Sequence, residues 1–192
     1  IGAGLAGKAQ GQRERQCLEL VAQGKVAVHE PLSRYVPEAP EPGASRTIAQ
    51  LLAHGSGLLD VCGDDFDPMP ETKLIADCLA RPLAHPVGED HYSNTGYSAL
   101  ALVVQRVTGK PWEEAVRELV WQPLGLEDIG FTFADRPEMP FAHGYIGENE
   151  QPLISQSIAR LDGDDWGLRG NGGIQASCET MIAFLNGLLH QD

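Results

Sequence analysis

The apolar positions of this chain recur at helical rather than strand spacing, and the clearest run is also the most apolar. Leu100, Ala101, Leu102, Val103, Val104 and Val107 leave almost no polar face. That pattern predicts a deeply buried helix from Tyr97 to Thr108, opened at Asn94 or Thr95 and closed by Gly109. Pro111 then opens a second helix with Ala115, Val116, Leu119 and Val120 inward, ended by Pro123, and the two are expected to form a hairpin. Leu74, Ile75, Cys78 and Leu79 share one face of an amphipathic helix over Glu71 to Ala80, and Thr47 caps a short helix through Leu51 and Leu52 that Gly55 and Gly57 let the chain leave. A first helix is expected over Gln10 to Gln23, stopped by Gly24, and a last one after Ser177, with Met181, Ile182, Phe184, Leu185, Leu188 and Leu189.

Between these helices the pattern breaks. Prolines at 31, 37, 40 and 42 make Val26 to Pro42 a connector, and Gly63 to Asp67 reads as a solvated acidic turn. From Gly125 to Gly173 no period is sustained, so no element is assigned there. With no repeat and no linker long enough to divide it, residues 1–192 read as one mainly α-helical unit.

Composition narrows the partners. Fourteen Lys and Arg against 27 Asp and Glu give a formal charge of −13, which repels nucleic acid and anionic membrane surfaces. No stretch reaches the roughly 20 apolar residues of a membrane helix. The start Ile1-Gly2-Ala3-Gly4 lacks the charged region of a secretory leader, and the missing initiator Met points to a truncated start, which leaves room for a leader ahead of it. Cys17, Cys62, Cys78 and Cys178 are scattered without metal-ligand spacing, so buried free thiols and no metal are expected.

Four segments occur in an informative order. Leu18 to Val26 leads into His29-Glu30-Pro31-Leu32-Ser33-Arg34-Tyr35-Val36-Pro37. Thr47 to Leu58 follows, then Tyr92-Ser93-Asn94-Thr95-Gly96-Tyr97 at the start of the buried helix. Gly170-Asn171-Gly172-Gly173-Ile174 precedes the last helix. Together with Val107 to Trp112 and Gln122 to Leu126, this series resembles the class C β-lactamase, D-aminopeptidase and family VIII carboxylesterase group over about residues 17 to 190. The resemblance implies an α+β parent fold, an antiparallel sheet plus a helical region, of which this chain holds mainly the helices. It implies acyl-enzyme hydrolysis of β-lactams, D-amino-acid peptides or small esters, with no cofactor. Members are often periplasmic or secreted, but the compartment here stays open.

In that family a serine attacks a carbonyl after a lysine one helical turn later and a tyrosine take its proton. By resemblance Tyr92 is that tyrosine, and Asn94 holds the substrate amide or orients the lysine. Asn94 reads equally well as a helix N-cap. Ungapped counting back from Leu18 puts the serine at Gly7 and the lysine at Gln10, and no Ser or Thr precedes Ser33. The Ser-x-x-Lys nucleophile is therefore missing. Where the family helix has small apolar side chains, this chain has Gln10-Gly11-Gln12-Arg13-Glu14-Arg15-Gln16. Unpaired burial of such charges costs roughly several kcal/mol each, so this helix is expected to stay out of the core, and residues 1–16 read as a shifted or misjoined frame. The family's Lys-Thr-Gly or His-x-Gly strand should follow the last helix, beyond Asp192.

The remaining polar candidates carry less. His54 reads as a structural hydrogen-bonding group, Ser56 fails the Gly-x-Ser-x-Gly pattern of a nucleophile elbow, and His85 and His91 flank the Tyr92 loop without an assigned role. His143-Gly144-Tyr145 resembles a structural turn of the family, and Gly172 and Gly173 a tight turn. Two other readings stay open: a non-catalytic pseudoenzyme that keeps the pocket for ligands, and an unrelated helical interaction protein, which would separate Tyr92 from Gly172.

Overall fold

The computed structural model describes residues 15–63, 68–131, 142, 144–150, 166–167 and 169–189. The expected helices are present where the apolar period is strong. Helix α1 covers 15–22 and ends at Gly24, whose φ of 69° only glycine adopts cheaply. Helix α2 (Ile48–Leu52) opens with a capping box, in which the Thr47 hydroxyl accepts from the Gln50 amide and the Gln50 side chain accepts from the Thr47 amide. Between them the proline-rich connector packs Leu32 and Val36 fully inward around a 3-10 turn, Leu32–Arg34.

Helix α3 begins as one α-turn (Glu71–Lys73) and continues as a π-helical turn (Leu74–Cys78), burying Leu74, Ile75 and Cys78 as its period predicts. Helix α4 (Asn94–Thr108) is the centre of the molecule, with every residue from Thr95 to Val104 buried. It packs against α2, the π-helical turn of α3 and helix α5 (Trp112–Val116), which itself continues as a π-helical turn over Arg117–Trp121.

The stretch left unassigned by periodicity contains the strands β1 (Ile129–Phe131), β2 (Tyr145–Ile146), β3 (Asn149–Glu150) and β4 (Ile174–Ala176). β1 pairs antiparallel with β4, Ile129 opposite Ala176, and β2 pairs with β3. The first pair closes the core: Phe131 sits 5.0 Å from the ring of Trp112 and 4.8 Å from that of Trp121. Helix α6 (Cys178–Leu189) buries Phe184 but leaves Ile182 and Leu185 exposed.

Two expectations change here. Cys62 and Cys78 form a disulfide rather than lying as buried free thiols, and Cys178 is exposed; of the four, only Cys17 is a buried thiol. Nor does the polar segment before Cys17 stay wholly outside the core. Gln16 is 1% exposed, and its Oε1 accepts from the Trp112 indole at 3.0 Å, so one hydrogen bond offsets part of the cost of burying the amide. The expectation for residues 1–14 lies outside the described residues, as do those for Asp64 to Asp67 and for His143.

Candidate active site

The turn that starts α4 is built by hydrogen bonds from a loop 34 residues upstream. Ser93, not Asn94, is the N-cap: its hydroxyl accepts from the Gly96 amide at 3.0 Å and donates to the Leu59 carbonyl at 2.9 Å. Asn94 is the first helical residue, and its side chain is engaged elsewhere. Its Nδ2 and its backbone amide both donate to Asp60 Oδ1, at 3.0 and 3.1 Å, while its Oδ1 accepts from the Tyr92 hydroxyl at 3.1 Å. Thr95 adds two more bonds to the Asp60 carbonyl, from its amide at 3.0 Å and its hydroxyl at 3.2 Å.

His54 braces the same turn from behind. Its Nδ1 accepts from the Ser93 amide at 3.1 Å, and its ring contacts those of Tyr92 and Tyr97, with centroids 4.6 and 4.7 Å away. To reach this place it takes φ 53°, a left-handed conformation that the sequence led us to expect of Gly55 and Gly57; Gly57 adopts it, at 71°, and Gly55 does not. Ser56 is buried, and its hydroxyl accepts from the Leu58 amide, a local turn contact. His85 and His91 stack on each other with centroids 3.8 Å apart and 9° between planes.

Tyr92 and Asn94 face a cavity of about 180 Å³ whose wall also includes Asp60, Cys62, Met69, Ser98, Trp166, Asn171 and Gly172. The glycine-rich turn thus lines the same cavity as the Tyr-Ser-Asn turn. It is held there at three points. Gly170 packs directly on α4, Asn171 Nδ2 donates to Ser98 Oγ at 3.1 Å and to the Gly167 carbonyl, and Arg169 Nε bonds Glu113 of α5 at 2.6 Å with both side chains nearly buried. Trp166 completes the wall, its amide donating to the Met69 carbonyl at 2.7 Å.

Among the described residues no Lys or Arg lines this cavity, and Asp60 is its one charged side chain. Tyr92 is 42% exposed. Since its hydroxyl donates to Asn94, its oxygen lone pairs remain able to accept a proton or hydrogen bond from a group in the cavity. No group of three metal-ligating side chains occurs among the described residues, and none of their helices is long and apolar enough to cross a membrane.

A family model described as Beta-lactamase matches residues 17–192. The chain belongs to the beta-lactamase family. It is 34% identical over 161 residues to esterase EstB of Burkholderia gladioli, covering 71% of this chain and 39% of the esterase. It is 28% identical over 172 residues to PbpX of Bacillus subtilis, covering 90% of this chain and 42% of that protein. The chain therefore spans about two fifths of these curated relatives' length. A beta-lactamase/D-alanine carboxypeptidase from Pseudomonas syringae superposes with a TM-score of 0.74 at 16% identity, covering 96% of this chain and 50% of that one, which shows the shared fold.

The fold is therefore the α+β beta-lactamase/transpeptidase type, represented here mainly by its helical region. Family membership overturns the reading as an unrelated helical interaction protein, and Tyr92 and Gly172 share one cavity. Sequence reasoning missed Asp60, Ser98 and Trp166 as wall residues. The one signal for Asp60 was its place two residues after the Thr47 to Leu58 segment.

Proposed function

We propose that the protein to which this segment belongs works by acyl-enzyme hydrolysis of β-lactams, D-amino-acid peptides or small esters, and that this chain supplies its substrate-facing wall. Tyr92 is the proton-accepting tyrosine, and Asn94 the amide that contacts substrate or orients a neighbour. The observation that carries this reading is the hydrogen-bonded series Tyr92, Asn94, Asp60 lining one cavity together with Asn171 and Gly172. With no Ser-x-x-Lys anywhere in the sequence, the chain as it stands binds without turning over.

Adding benzylpenicillin to the labelled chain should move the backbone amide resonances of Thr95, Ser98 and Gly172, all on the cavity wall. Shifts confined to residues away from that wall would refute the assignment. A second reading, a ligand-binding pseudoenzyme, is favoured by the cavity that Tyr92, Asn94 and Gly172 line without a nucleophile. Sequencing the codons for residues 1–16 and the region upstream separates the two: a Ser-x-x-Lys in another frame supports a hydrolase with a disrupted start, and its absence supports the pseudoenzyme.

A further inference from the structure

The geometry points to Asp60 as a positioning residue that sets which way the Asn94 amide faces and, through it, where the Tyr92 hydroxyl proton lies. A carboxylate only accepts hydrogen bonds, so the end of the Asn94 side chain nearest Asp60 must be its NH2 group, as the 3.0 Å Nδ2 to Oδ1 contact has it. That leaves the Asn94 carbonyl oxygen toward Tyr92. A carbonyl oxygen also only accepts, so Tyr92 is the donor across the 3.1 Å contact. Were the amide reversed, its NH2 would meet the phenol oxygen and occupy a lone pair that now can face the cavity.

The carboxylate is well placed to impose this choice because its own backbone is tied to the turn it controls. The Asp60 carbonyl accepts both Thr95 bonds, the Leu59 carbonyl accepts from Ser93, and Asp60 Oδ1 accepts from the Asn94 backbone as well as its side chain. The direction of the series is therefore fixed from outside the Tyr-Ser-Asn triplet. Its meaning for chemistry rests on the functional reading above, whereas the orientation itself does not.

The test uses the full chain labelled with nitrogen-15 and reads solvent exchange of the Asn94 side-chain amide. Asp60→Asn keeps an acceptor oxygen, and Asp60→Leu keeps bulk without one. The wild type and Asp60→Asn should protect the amide, while Asp60→Leu should speed its exchange about tenfold or more and bring an Asn94 NH2 to Tyr92 ring contact into view. The Thr95 amide, bonded to the Asp60 carbonyl rather than its side chain, should stay protected in all three and shows that the turn is in place. If Asp60→Leu fails that check, Asp60→Ala replaces it with the same expected loss. Unchanged exchange without the carboxylate, or equal loss in Asp60→Asn and Asp60→Leu, would overturn the inference. A wild type that protects the amide yet shows no cavity shifts with benzylpenicillin removes the functional reading alone.

Discussion

Gly170 is the position at which the glycine-rich turn touches the buried helix, and replacing it by alanine should loosen both. Its φ is 80°, and a Cβ built there would overlap the Tyr97 carbonyl oxygen and lie 2.9 Å from the Ala101 Cβ. Two costs combine. A left-handed alanine costs about 1–2 kcal/mol, and forcing a methyl into an occupied space costs about 1–3 kcal/mol more. The expected loss is therefore about 2–5 kcal/mol, a large share of the roughly 5–15 kcal/mol that holds an ordinary domain folded. Two further glycines separate these contributions. Gly125 has φ 64° with nothing within 4 Å of a Cβ, so Gly125→Ala carries the dihedral cost alone. Gly43 has no left-handed φ, but its Cβ would meet the Leu79 carbonyl oxygen at 2.8 Å, so Gly43→Ala carries overlap alone. Urea unfolding of the three variants should rank Gly170→Ala the most destabilised, its midpoint lowered by about 1 M or more for a slope near 2 kcal/mol/M. A Gly170→Ala chain no less stable than Gly125→Ala would refute the close docking of the turn on α4.

Two further outcomes follow from the titratable groups. In the folded, unreduced chain one thiol should react readily with a disulfide reagent, the exposed Cys178, because burial pushes the Cys17 thiol up to about 12 and the other two cysteines are joined. Reaction of three or four thiols before unfolding or reduction would contradict that pairing. Partial burial alone would raise the Glu38 carboxyl, but its hydrogen bond to Arg106 at 2.6 Å, a hydrogen bond to its own backbone and the Arg106 charge together outweigh it and hold it below its ordinary value of 4.5. A carboxyl lowered by folding contributes stability that is complete above its unfolded value and is lost as pH falls through the folded one. Carbon-13 titration should place Glu38 below a solvent-exposed glutamate, and Arg106→Met should raise it toward that glutamate; equal midpoints in the parent chain would refute the pairing.

What could be read in the sequence was local. The apolar run of α4, the Thr47 and Gln50 capping box and the stops at Gly24 and Gly109 each depend on residues within one or two turns of one another. What could not be read depends on distant partners. Phe131 and Ile174 pair across 43 residues in strands of three, too short for a period of two to register. Cys62 and Cys78 match no motif. The N-cap fell to Ser93 because Asn94 is drawn to Asp60, a contact 34 residues apart that no pattern at the turn announces. The burial of Gln16 is hidden for the same reason, since its indole partner is 96 residues away.

Under the proposed function, this chain keeps the substrate-facing wall of a beta-lactamase family site without its nucleophile. That is tested most directly by incubating the folded chain with benzylpenicillin, denaturing it and measuring its intact mass. The chain should return at its unmodified mass, because no serine in it is followed by a lysine one turn later. A species heavier by one penicillin, with the adduct on a serine, would contradict the proposed function and assign the nucleophile to a serine outside any Ser-x-x-Lys pattern.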